Sequence, residues 1–219
     1  MPPEQLGLVN SCSFTVLDEL VMNWPSRVTD PLLASMRPED ISRCNVGGRT
    51  VLHLAAMNKR DEAVPLLLAR MKTKDTWAVW KKPKRQTALC MAAGANFPEI
   101  VGPLLARGEA IHFAIRDETC QIALHLAAER GHIEVVRQLL DHVDLDDVVE
   151  CDNDGETALH KAAQRGHRAV VKLLLQSYSD DEDVTAANGE GKTALDLAGA
   201  FKHRRIVSLI EERLRGGAA

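Results

Sequence analysis

The sequence predicts an all-α solenoid of stacked helix-turn-helix units, and three observations predict it. First, five segments align: Gly48-Arg-Thr-Val-Leu-His-Leu-Ala-Ala56, Arg85-Gln-Thr-Ala-Leu-Cys-Met-Ala-Ala93, Cys120-Gln-Ile-Ala-Leu-His-Leu-Ala-Ala128, Gly155-Glu-Thr-Ala-Leu-His-Lys-Ala-Ala163 and Gly191-Lys-Thr-Ala-Leu-Asp-Leu-Ala-Gly199. Their leucines, Leu52, Leu89, Leu124, Leu159 and Leu195, lie 37, 35, 35 and 36 residues apart. Second, 12 residues after each leucine an aliphatic cluster begins, at Val64, Val101, Val136, Val171 and Val207. Third, a helix stop separates the two apolar blocks, clearest in Arg130-Gly131-His132 and Arg165-Gly166-His167. One such hairpin cannot bury both faces, so the units must stack.

Along the chain, residues 1–45 lack the full repeat but place Leu17, Leu20, Val21 and Trp24 at helical spacing. Asp30-Pro31 then reads as an N-cap and first helical residue before Leu32, Leu33 and Met36. This segment is expected to form a degenerate helical hairpin capping the repeats of residues 46–219. In the last helix Lys202, Arg204, Arg205, Glu211, Glu212, Arg213 and Arg215 surround Ile206, Leu209 and Ile210, a polar outer face suited to a terminal repeat.

The run Gly-x-Thr-Ala-Leu-His-x-Ala-Ala-x-x-Gly-His followed by Val-Val-x-x-Leu-Leu resembles the ankyrin repeat over residues 46–214, about four fifths of the chain. The family's period is about 33 residues, so each unit here is slightly longer, with the excess in the β-turn finger loops. The resemblance implies that His125, His132, His160 and His167 hydrogen-bond turn backbone and neighbouring repeats rather than hold a metal. It also implies a protein-binding function.

Departures from the pattern carry expectations of their own. Arg85 and Cys120 replace the turn glycine, and Ile122 replaces the threonine, so the second and third fingers are expected to differ in shape. Pro65, Pro103 and Gly102 fall in second helices, which makes the first two repeats the expected looser end.

Composition restricts the function classes. The chain is 45% hydrophobic but only 4% aromatic, which suits a core of Ala and Leu between close helices. A net charge of −4 gives no general attraction to nucleic acid or anionic lipid. The N-terminus has no basic flank with an apolar core, and no apolar run approaches ~18 residues, so a monomeric protein of the cytoplasm or nucleus is expected. Five widely spaced cysteines without a CxxC pair suggest neither disulfides nor zinc.

Several segments imitate chemical sites. Ala186 to Thr193 fits a relaxed phosphate-loop pattern, but it follows the acidic Ser179–Asp183 segment and lies in phase with the turns of the other repeats. Asp152-Asn153-Asp154-Gly155 has its glycine too early for a calcium loop and reads as a turn. Nothing matches a nucleophile elbow or a convergent carboxylate pair, so neither a catalytic residue nor a cofactor is assigned. Lys81-Lys82-Pro83-Lys84-Arg85 is either an import signal or a basic, partner-facing finger. The adjacent Trp77 and Trp80 are either finger core or exposed anchors.

The expected binding face is the finger row with the ends of the first helices. Its candidates are Trp77, Trp80, Lys81, Lys82, Arg85, Asp117, Glu118, Asp144, Asp146, Asp147 and Asp154 on fingers, and Glu129, Arg130, Gln164 and Arg165 on first helices. Residues 141–154 hold seven carboxylates and no Lys or Arg, a distribution that either attracts a basic partner segment or keeps the protein soluble. The rival readings are nucleotide binding or catalysis at Gly191-Lys192-Thr193 and nuclear regulation through the basic finger at 81–85.

Overall fold

A computed structural model describes residues 14–24, 26–80, 85–108, 114–143 and 148–216. The helices are α1 (Val16–Asn23), α2 (Ser26–Ser35), α3 (Pro38–Ile41), α4 (Val51–Met57), α5 (Ala63–Arg70), α6 (Thr73–Thr76), α7 (Ala88–Ala95) and α8 (Pro98–Arg107). They continue as α9 (Ala123–Arg130), α10 (Ile133–Leu140), α11 (Ala158–Arg165), α12 (Arg168–Ser177), α13 (Asp181–Thr185), α14 (Ala194–Ala200) and α15 (Arg204–Gly216). The chain divides into two compact units, residues 1–112 and 113–219.

In the first unit the first helices stack in the order α1, α4, α7 and the second helices in the order α2, α5, α8. The second unit repeats this with α9, α11, α14 and α10, α12, α15. The paired alanines, Ala55-Ala56, Ala92-Ala93, Ala127-Ala128 and Ala162-Ala163, are fully buried, and their small side chains let neighbouring first helices approach closely. Leu52, Leu67, Leu89, Ile100 and Leu104 fill the first core, and Leu124, Val136, Leu139, Leu159, Val171 and Leu174 the second. Each such side chain contributes roughly 1.5–3 kcal/mol by leaving water.

The repeat signature is a set of hydrogen bonds. Thr157 caps α11 by accepting from His160 N, while its own backbone N–H and hydroxyl both reach His160 Nδ1, at 3.2 and 2.9 Å. Thr50 and His53 make the same two contacts to the ring nitrogen, at 3.2 and 2.8 Å. The opposite ring nitrogen faces a backbone carbonyl of the next finger: His53 at Gln86 O (3.1 Å), His125 at Glu156 O (3.0 Å) and His160 at Lys192 O (3.2 Å). A carbonyl only accepts, so Nε2 carries the proton and the neutral Nδ1 accepts. Burial holds the three histidines neutral, lowering His53 to about 4 and His125 and His160 in the same direction.

The other repeats keep parts of this motif. Ile122 has no oxygen, so only its N–H is satisfied, by His125 Nδ1 at 3.4 Å. Cys90 leaves Thr87 with the forward cap alone, and Asp196 replaces the histidine while closing a full box with Thr193.

Three expectations are corrected. Ser26–Ser35 is one helix with Pro31 inside it, so Asp30 is not an N-cap; Trp24 ends α1 half exposed. Pro65 is the third residue of α5, where its N–H would have had no intrahelical partner; of these two second-helix prolines it is Pro103, deep in α8, that removes a helix bond. Cys120 adopts φ 58° in a turn closed like the glycine turns: Asp117 N reaches Gln121 O at 2.9 Å, as Asp152 N reaches Glu156 O at 3.0 Å. The third finger therefore keeps the common shape. The second is longer, Trp80 N bonding Gln86 O at 2.9 Å, although Arg85 keeps the left-handed turn at φ 47°.

Candidate functional site

Each short finger is built on an Asx residue whose side chain folds the turn. Asn45 Oδ1 accepts from Arg49 N, Asp117 Oδ1 from Thr119 N and Gln121 N, Asp152 Oδ1 from Asp154 N and Glu156 N, and Asn188 Oδ1 from Glu190 N and Lys192 N. In the second unit the fingers are also joined to one another. Asn153 N donates to Thr119 O at 3.1 Å and Gly189 N to Asp154 O at 2.8 Å. Gly155 and Gly189 are required there: a Cβ on Gly155 would lie 2.7 Å from Gly189 N.

On this frame sits a buried ionic cluster. Lys161 Nζ lies 2.7 Å from both Asp152 Oδ2 and Glu156 Oε2, with side chains only 11%, 2% and 11% exposed. Gln121 Nε2 donates to Asp152 Oδ2 at 3.3 Å, and Asn188 Nδ2 to Glu156 Oε1 at 3.3 Å, so the cluster joins three successive fingers. Burial acts to raise Asp152 and to lower Lys161. Hydrogen bonds outweigh it in both: Lys161, the Glu156 backbone and Gln121 hold Asp152 below the usual carboxylate range, and Asp152 and Glu156 hold Lys161 above the usual amine value.

The cluster forms one side of a polar groove of about 970 Å³ between the fourth and fifth repeats. Asp154, Gln164 and Glu190 also line it, with Leu197, Ala200 and Phe201 on the apolar side; Phe201 is 53% exposed. A groove offering carboxylates and an aromatic ring can hold a peptide chain.

The sequence-predicted residues divide by place. Asp154 and Gln164 line this groove, and Glu118, Arg130 and Arg165 are exposed, with Arg165 paired to Glu129 at 2.6 Å. Of the two readings of Trp77 and Trp80 the structure has finger core, at 5% and 8% exposure, so their place among the partner-facing candidates is corrected; Trp80 Nε1 donates to Gly47 O and Arg49 stacks on its ring at 4.0 Å. Asp117 is likewise buried, its carboxylate committed to its own turn. Arg85 is exposed, whereas Lys81, Lys82, Asp144, Asp146 and Asp147 lie outside the described residues. Sequence reading missed Glu156, Lys161, Asn188, Leu197 and Phe201 as site residues. The available signal was Lys161, which stands where the aligned repeats have Leu54, Met91, Leu126 and Leu197.

The segment Gly191-Lys192-Thr193 is already occupied. Thr193 N and Oγ1 both donate to Asp196 Oδ2, at 2.9 and 2.8 Å, and Lys192 pairs with Glu190 at 2.7 Å. A carboxylate thus holds the place where a phosphate would sit. No helix among the described residues is long and apolar enough to cross a membrane.

Comparison with curated proteins finds no match. The family model described as ankyrin repeats (three copies) matches residues 26–117, 74–149 and 124–215. These matches run through both units, and the chain belongs to the ankyrin-repeat family, whose repeats generally serve as protein–protein interaction modules.

Proposed function

We propose that this protein is a non-enzymatic adaptor that holds a partner protein through its finger row and first-helix ends, the partner presenting a basic segment. The groove of the fourth and fifth repeats carries the reading. Its fingers are fixed by hydrogen bonds before any partner arrives, which lowers the ordering cost of binding. It also contains a buried charged cluster, which favours stability less than an apolar residue at position 161 would. Seven carboxylates without Lys or Arg across 141–154 add a field that attracts a basic segment. Among the described residues four cysteines are free, two of them exposed, which suits a reducing compartment, and we place the protein in the cytoplasm or nucleus as a monomer.

The test is affinity capture from cell extract with the full chain, in parallel with a variant carrying Glu118→Lys, Asp154→Lys, Arg165→Glu and Phe201→Asp. These positions are exposed, so circular dichroism is expected to be unchanged. Partners identified by mass spectrometry with the wild type should be lost with the variant. Retention of the same partners by the folded variant would place binding elsewhere.

A further inference from the structure

We infer that the groove between the fourth and fifth repeats receives an arginine side chain flanked by an apolar one, the guanidinium meeting Asp154 beside the Lys161 cluster and the apolar neighbour meeting Leu197 and Phe201. This rests on the protein-binding reading above and specifies what the partner inserts.

Charge is the first argument. Four carboxylates and two amines line the groove, and both amines are engaged by carboxylates of the same groove: Lys161 by Asp152 and Glu156, Lys192 by Glu190. Two negative charges remain in excess. One is the surplus of the Lys161 cluster, whose polar partners hold Asp152 ionised; the other is Asp154, whose carboxylate has no hydrogen bond or ion pair among the described residues. An acidic or phosphorylated segment would meet no available cation here, whereas a basic side chain neutralises the excess.

The second argument is the apolar part of the lining. Phe201 is half exposed, although a residue of that size normally contributes by leaving water. Phe201 stacks on His203 with ring centroids 6.5 Å apart, and an aromatic ring lining the same groove as carboxylates suits a planar guanidinium, which stacks on a ring and forks onto carboxylate oxygens, better than a compact ammonium. The volume of about 970 Å³ exceeds one arginine side chain and leaves room for an apolar neighbour against Leu197.

Lys161 is then a specificity-determining residue. The aligned positions hold Leu or Met, and an apolar side chain there would remove the cation that keeps Asp152 and Glu156 together on the groove wall.

The experiment selects a randomised peptide library displayed on phage against the intact chain. Affinities of the enriched peptides are then measured by fluorescence anisotropy. Enriched sequences should carry arginine beside an aliphatic or aromatic residue. Replacing that arginine with citrulline, its neutral isostere, should weaken binding at least tenfold, as should Asp154→Lys with Glu190→Lys in the protein. Phe201→Ala should reduce the preference for arginine over lysine. Enrichment of peptides without arginine, no enrichment at all, or an affinity unmoved by the charge reversal overturns the assignment. The capture experiment above reads the whole face and can succeed while this one fails, so the two failures are separable.

Discussion

The two units reach the same helix-to-helix turn with different side chains. In every repeat the residue after the tight turn donates its N–H five residues back to the first helix: Arg60 to Ala55, Phe97 to Ala92, His132 to Ala127, His167 to Ala162 and His203 to Ala198. The residue before it is always left-handed. The second unit places glycine there in its first two repeats, at Gly131 (φ 74°) and Gly166 (φ 82°), and Lys202 in its last. The first unit uses Lys59 (φ 50°) and Asn96 (φ 60°). The glycines also make room for a ring: His167 Nε2 reaches Glu129 O at 2.9 Å over Gly131, and His203 Nε2 reaches Gln164 O at 3.0 Å over Gly166. In the first unit Arg60 instead reaches back to the Trp24 carbonyl, and Phe97 lies beside Lys59. The turn geometry is thus set by backbone hydrogen bonding, and the side chains determine how much strain it carries and how firmly one repeat is tied to the next.

The largest expected effect comes from adding a methyl group where the second unit has glycine. A Cβ on Gly131 would lie 2.5 Å from His167 Nδ1, and one on Gly166 would lie 2.6 Å from His203 Cε1. Gly131→Ala or Gly166→Ala combines left-handed strain with loss of an inter-repeat hydrogen bond, roughly 2–4 kcal/mol in all. Urea unfolding should show it as a lower midpoint. A change below about 1 kcal/mol would mean that the glycines do not distinguish the units.

Acid should sharpen the comparison next. Burial lowers His53 from its ordinary 6.5 to about 4, so between these values the unfolded chain binds more protons than the folded one. The stability from this histidine is full above about pH 6.5 and is lost as pH falls toward 4, on the order of 3 kcal/mol at the limit. His125 and His160 shift in the same direction, two groups in the second unit against one in the first among the described residues. Urea titrations from pH 7 to 4 should therefore show falling stability, with His160→Gln flattening the slope. A slope unchanged by that variant would remove the buried ring from the account.

Much of this was legible in the residues. The repeat period, the stop at Gly131 and Gly166, and the turn at Asp152–Gly155 all follow from local chemistry that the chain carries with it. The groove was less legible because Glu156 and Lys161 acquire their roles only when neighbouring fingers stack: an isolated Lys161 is a surface lysine, and stacking makes it a buried counter-ion. Trp77 and Trp80 show the same limit. Beside four basic residues they read equally as finger core or exposed anchors, and what decides it is that Trp80 finds Gly47 O and Arg49 in the preceding finger, contacts 33 and 31 positions away in sequence. Pro65 and Pro103 look alike in sequence, and only the helix boundary makes the first harmless.

The smallest expected effect is a gain, and it tests the comparison from the other side. Lys59 is a long side chain held at φ 50°, a region that L residues other than Asn and Asp enter at a cost of roughly 1–2 kcal/mol. Lys59→Gly removes that strain. It also gives up a cation over the Phe97 ring at 5.7 Å, an exposed contact worth about 0.5 kcal/mol or a little more, and glycine adds freedom to the unfolded chain. The net gain should be about 0.5 kcal/mol, against a loss of several times that for Gly131→Ala, although the two substitutions address equivalent turns. Slower hydrogen exchange across Val51–Arg70, with Ala123–Leu140 unchanged, is the expected reading. Exchange that accelerates in the first segment would show that the lysine contributes more through its contacts than it costs in backbone strain, and the difference between the units would then lie in the histidine ties alone.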